Sequence, residues 1–160
     1  MTTPMTTEWK IRSTAEADVP AIASLIRALA DYEKAAPGAV SLTDDLLREA
    51  LFGRRASVEA LVVEAGPEMV GYALYFHNFS SWRGRRGLFL EDIFVRPEWR
   101  GRGIGKALVA ELTRIARERG CARMEWIVLD WNHSAITFYE SLGATPLKGW
   151  TIYRMALPEA

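Results

Sequence analysis

Two acids stand side by side in a stretch that otherwise reads as an apolar strand, Leu88-Phe89-Leu90-Glu91-Asp92-Ile93-Phe94-Val95. An unpaired buried carboxylate is expensive, so neighbouring acids here need either a polar cleft or cationic partners, for which Arg83 and Arg123 are candidates. In a regular strand successive side chains point to opposite faces, so only one of the two faces a given cleft unless a bulge turns the chain. A partly desolvated carboxylate in such a cleft attracts a cation and then accepts a proton from it. Further along, Tyr139 follows Ile136-Thr137-Phe138, and Ile136, Phe138 and Leu142 form a credible buried face. Its phenol, with a reference pKa of about 10, has a proton to give to a leaving thiolate. Tyr139 reads equally as a packing aromatic with its hydroxyl at the surface.

Directly after the acidic strand the chain runs through Arg96-Pro97-Glu98-Trp99 into Arg100-Gly101-Arg102-Gly103-Ile104-Gly105-Lys106. Ile104, Leu108, Leu112 and Ile115 then recur at helical spacing until Gly120. The stretch is strand, glycine-rich turn, helix. Its glycines clear side chains from the path of a ligand, so that consecutive N–H groups converge on an anion at the helix start. The helix dipole adds partial positive charge, and Arg100, Arg102 and Lys106 add formal charge, which suits a pyrophosphate. The Walker loop requires Gly-Lys-Ser/Thr after a longer loop, and the dinucleotide fingerprint requires G-x-G-x-x-G; the pattern here is R-x-x-G-x-G. Taken alone, the turn reads equally as a helix start with solvated arginines.

The elements that must position these residues follow from periodicity. Residues 1–7 read as a disordered leader and residues 8–160 as one domain. Trp9 to Ser13 alternates as a short strand; Asp18 and Pro20 supply helix-start chemistry, and Ile22, Leu25, Ile26 and Leu29 carry a helix whose last turn delivers Asp31, Tyr32 and Glu33. Thr43 heads a second helix through Leu51. Ala60–Ala65 and Met69–Phe76 form a hairpin about Gly66-Pro67-Glu68, and His77–Gly87 reads as an edge loop. The acidic strand is expected to place Leu88, Leu90 and Phe94 on one face and Phe89, Ile93 and Val95 on the other. After the long helix come a strand from Arg123 to Leu129, a short helix from Ser134 to Leu142 capped by Ser134 or Asn132, and a last strand from Trp150 to Leu157. This order predicts an α/β fold with a mixed, largely antiparallel central sheet flanked by helices.

A chain of 160 residues supports one domain with a proper core. Lysine plus arginine and aspartate plus glutamate cancel, 20 against 20, so no global field draws the protein to nucleic acid or to a membrane surface. The single cysteine, Cys121, leaves no internal disulfide, and with only His77 and His133 beside it no metal site is expected. No long apolar run or signal-peptide plan is present, and the default expectation is a cytoplasmic protein.

Arg100-x-x-Gly103-x-Gly105 after a strand, with Asn132, Phe138-Tyr139 and Leu142-Gly143-Ala144 later, resembles the GNAT superfamily of acetyl-CoA-dependent N-acetyltransferases over nearly the whole chain. Leu90 to Val95, Asp130-Trp131-Asn132 and Tyr32-Glu33 resemble its diamine and polyamine branch, which includes the spermidine/spermine and thialysine enzymes. The resemblance implies acetyl-CoA as co-substrate, its pyrophosphate on the backbone of Arg100, Gly101, Arg102, Gly103, Ile104, Gly105 and Lys106. It implies pantetheine along Ile93, Phe94 and Val95, the strand from Arg123 splaying away to admit it, and Asn132 on the CoA arm. It makes Tyr139 the general acid and Glu91 the acceptor of the amine proton, with Tyr32, Glu33, Trp82, Glu91 and Asp92 lining the amine cleft. The implied reaction is direct attack by a small primary amine in a ternary complex, in a homodimer. A protein or peptide N-acetyltransferase and a non-catalytic CoA-binding module are the alternatives. The basic run Arg83, Arg85 and Arg86 favours a short diamine or a carboxylate-bearing amine over a long polyamine.

Overall fold

Alternating apolar residues become strands here because each strand finds a neighbour for its backbone. In a computed structural model, which describes residues 8–158, five strands form one sheet in the order β1-β2-β3-β4-β5. They are β1 (Lys10–Ser13), β2 (Glu59–Ala65), β3 (Glu68–Ser80), β4 (Arg85–Val95) and β5 (Met124–Trp126). The first four are antiparallel neighbours, and β5 runs parallel to β4. The helices are α1 (Val19–Tyr32), α2 (Asp44–Phe52), α3 (Ile104–Glu118) and α4 (His133–Ser141). The chain falls into two compact units, Met1–Ile127 and Val128–Ala160. The leader expected over residues 1–7 lies outside the described residues. Among the described residues no helix is long and apolar enough to cross a membrane.

In the first unit the sheet is covered on both faces. Val19, Ile22, Ala23 and Leu25 of α1 and Leu47 and Leu51 of α2 pack with Ala60, Val62, Tyr72, Leu74 and Phe94. On the other face Ile104, Leu108, Leu112 and Ile115 of α3 pack with Leu61, Val63, Ala73, Tyr75, Leu88 and Leu90. The stripes read for α1 and α3 are largely the stripes that are buried, whereas Leu46 of α2 is exposed and the face expected of Ile136, Phe138 and Leu142 is only half-buried. Thr43 caps α2, its hydroxyl accepting from Leu46 N–H at 3.2 Å.

The acidic strand departs from regular alternation. Leu74 of β3 stands opposite Asp92 and the next residue, Tyr75, opposite Leu90, so Glu91 is an extra residue in β4. This β-bulge exchanges the faces of everything beyond it. Leu88 and Leu90 share the α3 face with Ile93 and Val95, while Phe94 lies on the α1 face. The face assignment expected for an unbroken strand is thus corrected, because its period of two is interrupted once.

Three further expectations are corrected. The edge loop over 77–87 is instead strand on both sides, with β3 reaching Ser80 and β4 starting at Arg85, because Phe79 pairs with Arg86 and Asn78 with Gly87 across a long hairpin. The strand from Arg123 shortens to Met124–Trp126, since its pairing with β4 ends at Leu90. No strand forms over 150–157, where Ile152, Tyr153, Met155 and Leu157 are exposed; apolar alternation states a preference that a strand realises only with a backbone partner.

Asp18 precedes α1 but does not cap it with its side chain. Its carboxylate turns back to accept from Arg12 Nη1 and Nη2 at 2.7 and 2.9 Å and from Ala15 N–H at 2.7 Å, tying β1 to the helix entry. The hydrogen bonds from Arg12 hold that carboxyl below its usual range against the opposing effect of burial. A depressed folded pKa stabilises at neutral pH and loses that contribution as the pH falls through the folded value. Asp18→Asn is expected to cost about 1–3 kcal/mol at pH 7 in a urea melt. The gap to wild type is expected to close as the pH drops below about 4.

Candidate active site

The bulge decides which way the two acids face. Glu91, the extra residue, is exposed, and Asp92 is half-buried on the α1 face. Neither Arg83 nor Arg123 is their partner: Arg123 Nε pairs with Glu125 Oε1 at 2.9 Å, and Arg83 N–H donates to Ser80 Oγ at 3.2 Å. The partner of Asp92 is instead Tyr72 of β3, whose hydroxyl donates to Asp92 Oδ2 at 2.9 Å. Burial pushes the Asp92 carboxyl up to about 6; the Tyr72 hydrogen bond opposes that rise, and Glu91 and Glu33 reinforce it. Glu33 ends α1, and burial raises its carboxyl too. Three acids from two elements thus gather at one place, as a cation-binding cleft requires.

Beside them the glycine turn takes a shape that only glycine adopts cheaply. Gly101 and Gly103 have φ of +74° and +80°, and a Cβ at either would meet nothing within 4 Å. These glycines are needed for their backbone angles, and the space above them is open. Gly103 is the N-cap of the 15-residue α3 with no side chain capping it. The first helical bond runs from Ala107 N–H to Gly103 O at 3.0 Å, so the N–H groups of Gly103, Ile104, Gly105 and Lys106 precede the helical ladder. The arrangement fits an anion. Two of the expected cations are, however, partly engaged by the protein. Arg100 Nε donates to Val95 O at 2.9 Å, and its guanidinium carbon stands 4.7 Å from the Tyr32 ring centre and 5.5 Å from that of Phe94. Arg102 stacks 4.4 Å over Trp99, and Lys106 is exposed.

Between turn and bulge the sheet offers an unpaired edge. The ladder to β5 stops at Leu90–Trp126, leaving Glu91–Val95 without a strand on that side among the described residues. Arg96 N–H donates to Val70 O, and a Cβ on Gly71 would lie 2.9 Å from Phe94 O, so the backbone of Phe94 faces β3. By alternation the N–H and C=O groups of Ile93 and Val95 face the open edge. Phe94 contributes a buried ring to the α1-side core instead. Trp82, 86% exposed, stands at the tip of the β3–β4 hairpin, and the strand from Arg85 to Asp92 separates it from the acids by roughly 20 Å. The structure therefore does not bring Trp82 to the acids of its own chain.

In the second unit Asn132 caps α4, its Oδ1 accepting from Ala135 N–H at 3.2 Å. Tyr139 is half-buried on that helix, its ring 5.4 Å from that of Phe138. A groove of about 370 Å³ in the first unit, lined by residues such as Thr14, Glu59, Arg114 and Arg119, lies at the other end of α3 from the turn. Its charges pair with one another: Arg119 with Glu59, and Arg114 with Glu111 and Glu118. Tyr72 was not among the residues singled out by sequence. The signal was a lone hydroxyl in Val70-Gly71-Tyr72-Ala73-Leu74, since a buried tyrosine needs a partner for its OH.

The profile of the Acetyltransferase (GNAT) family matches residues 24–144. The chain belongs to this family. It is an acetyltransferase. It is 39% identical over 155 residues to the thialysine N-epsilon-acetyltransferase of Bos taurus, covering 90% of each chain. It is 33% identical to the human spermidine/spermine N(1)-acetyltransferase-like protein 1, covering 91% of this chain and 22% of that one. Among solved structures, an integron cassette protein from V. cholerae superposes with a TM-score of 0.76 at 24% identity over 92% of each chain. An aminoglycoside acetyltransferase from a soil metagenome, crystallised with sisomicin, gives 0.78 at 19% identity over 94% of this chain and 97% of that one. These two share the fold.

Two outcomes follow from the geometry. Because the folded pKa of Asp92 is raised, its neutral form is favoured by folding; that contribution is complete below the unfolded value of about 4 and is lost as the pH rises through about 6. Asp92→Asn is therefore expected to stabilise the GNAT domain by up to about 3 kcal/mol at pH 8 and by nearly nothing at pH 4, read in urea melts. Gly103→Ala, which puts a Cβ on a left-handed residue, is expected to cost about 1 kcal/mol in the same assay.

Proposed function

We propose that the protein transfers the acetyl group of acetyl-CoA to a primary amine of a small cationic substrate of the diamine, polyamine or thialysine and lysine-like class. Attack is direct, in a ternary complex. The observation that carries this reading is the gathering of Glu33, Glu91 and Asp92 at the bulge, with the uncapped start of α3 following on the same strand. The names of the relatives support it, since thialysine and spermidine or spermine are all amines. Bound acetyl-CoA supplies the activated acyl group as a thioester.

The chain's own residues do the rest. The N–H groups of residues 101–106 hold the pyrophosphate, Ile93 and Val95 pair with the pantetheine arm, and Asn132 contacts CoA. Val95 O is shared with Arg100, so this arginine joins the turn to the edge. Tyr32, Glu33 and Asp92 receive the amine as ammonium, with a reference pKa of about 10.4 for an alkylamine. Only the neutral amine is a nucleophile, so Glu91 accepts a proton directly or through water. Tyr139 gives its proton to the departing thiolate. The same reading makes the protein a cytoplasmic homodimer, supported by the exposed apolar side chains of Ile152, Tyr153, Met155 and Leu157.

Release of free CoA thiol from acetyl-CoA over diamines, polyamines, lysine analogues and peptides tests the reading. Thiol release with the small amines is expected; release with peptides alone, or CoA binding without release, overturns it. Tyr139→Phe is expected to lower kcat about 100-fold or more while leaving CoA affinity unchanged, and unaltered turnover across the pH range removes Tyr139 as the acid.

A further inference from the structure

Among the carboxylates at the bulge, Asp92 is the one with a partner deep in the core. Tyr72 has no exposed surface, lies on the α1 face among Val62, Leu74 and Phe94, and spends its hydroxyl on Asp92 Oδ2 at 2.9 Å. A phenylalanine would fill the same space, so packing gives no reason for the hydroxyl. The register supplies one. Tyr72 stands opposite Phe94, and Leu74 opposite Asp92, so Tyr72 reaches Asp92 diagonally across the ladder on a shared face. Without the bulge, Asp92 would fall on the other face, out of reach of Tyr72.

We propose that Tyr72 is a positioning residue for catalysis: its hydroxyl fixes the Asp92 carboxylate and keeps it ionised, leaving Oδ1 to accept a hydrogen bond from the substrate's ammonium group. This rests on the amine-acetyltransferase reading and assigns a further residue to that site. Tyr72 is suited to the task because burial and the neighbouring acids push its phenol far above the usual range, so it is a donor at every working pH and never competes for the proton. The charged groups around Asp92 are Glu33 at the end of α1 and Glu91 on its own strand, both of which disfavour its ionisation. On the same face Arg100 stands over Phe94 and Tyr32. The Tyr72 hydrogen bond acts in the opposite sense to burial and to the two acids. An Asp92 held in this way attracts a cation, whereas a protonated one does not, and the site then discriminates ammonium from neutral acceptors.

The test compares wild type, Tyr72→Phe, Asp92→Asn and the double variant, following thiol release against pH with a diamine and a lysine analogue. CoA affinity by calorimetry serves as the check on folding. In Tyr72→Phe the KM for the amine is expected to rise about tenfold, with the KM for acetyl-CoA unchanged. The acid limb of kcat/KM is expected to move up by about one pH unit. In the Asp92→Asn background Tyr72→Phe adds no further loss. An unmoved acid limb, or the same fold loss with and without Asp92, overturns the proposal. A wild type that releases no thiol with any amine defeats the activity reading instead. The Asp92 carboxyl carbon, titrated by carbon-13 NMR, then decides the matter: a higher midpoint in Tyr72→Phe supports the role of Tyr72, and an unchanged midpoint overturns it.

Discussion

Between Leu90 and Asp92 the central strand holds one residue more than its neighbour β3, and a strand absorbs an extra residue only by exchanging its faces. Leu88 and Leu90 before the bulge and Ile93 and Val95 after it all pack toward α3, which regular alternation forbids. The exchange frees Asp92 to lie on the α1 face beside Tyr72 and within the influence of Glu33. It also coincides with the end of the ladder to β5 at Leu90, beyond which Ile93 and Val95 present backbone groups to an unpaired edge. Acid placement and the open edge therefore meet at one place in β4.

The charges of the first unit are distributed to match. Arg12 is committed to Asp18 and Glu64, Arg119 to Glu59, and Arg114 to Glu111 and Glu118, so much of the balanced charge is consumed in pairs away from the bulge. The exposed pairs of Arg114 and Arg119 contribute little each, about 0–1 kcal/mol, whereas the part-buried Arg12–Asp18 pair contributes more. At the bulge the acids find a phenol and one another, and the cost appears as carboxyl groups shifted upward by burial. At the glycine turn Gly101 and Gly103 hold left-handed angles that leave the start of α3 uncapped.

Amphipathic periods made the helices legible, because a stripe such as Ile104, Leu108, Leu112 and Ile115 has one way to be buried against a sheet. The strand–turn–helix from β4 into α3 was equally legible, since glycine spacing and helix start are local chemistry. So was the Thr43 start of α2, and of the two caps offered for α4, Ser134 and Asn132, the helix uses Asn132, each contact spanning only three residues. The C-terminal strand failed for the opposite reason: apolar alternation over 150–157 states a preference, but a strand is made by its neighbour. The hairpin from Ser80 to Arg85 was missed because its polar residues pair across the ladder, and Trp82 was thereby carried away from the acids.

What the sequence determined by itself is the set of elements and the chemistry available: a family signature, an acidic strand, a glycine-rich turn and a tyrosine on a short helix. Tertiary structure alone decided which acid is buried, because register is a relation between two strands and cannot be read from either one. Tyr72 and Asp92 are 20 residues apart in the chain, and only the pairing of β3 with a bulged β4 brings hydroxyl and carboxylate to 2.9 Å. Side-chain period is a local property of the backbone, whereas the phase of that period on each strand is fixed by the sheet it joins.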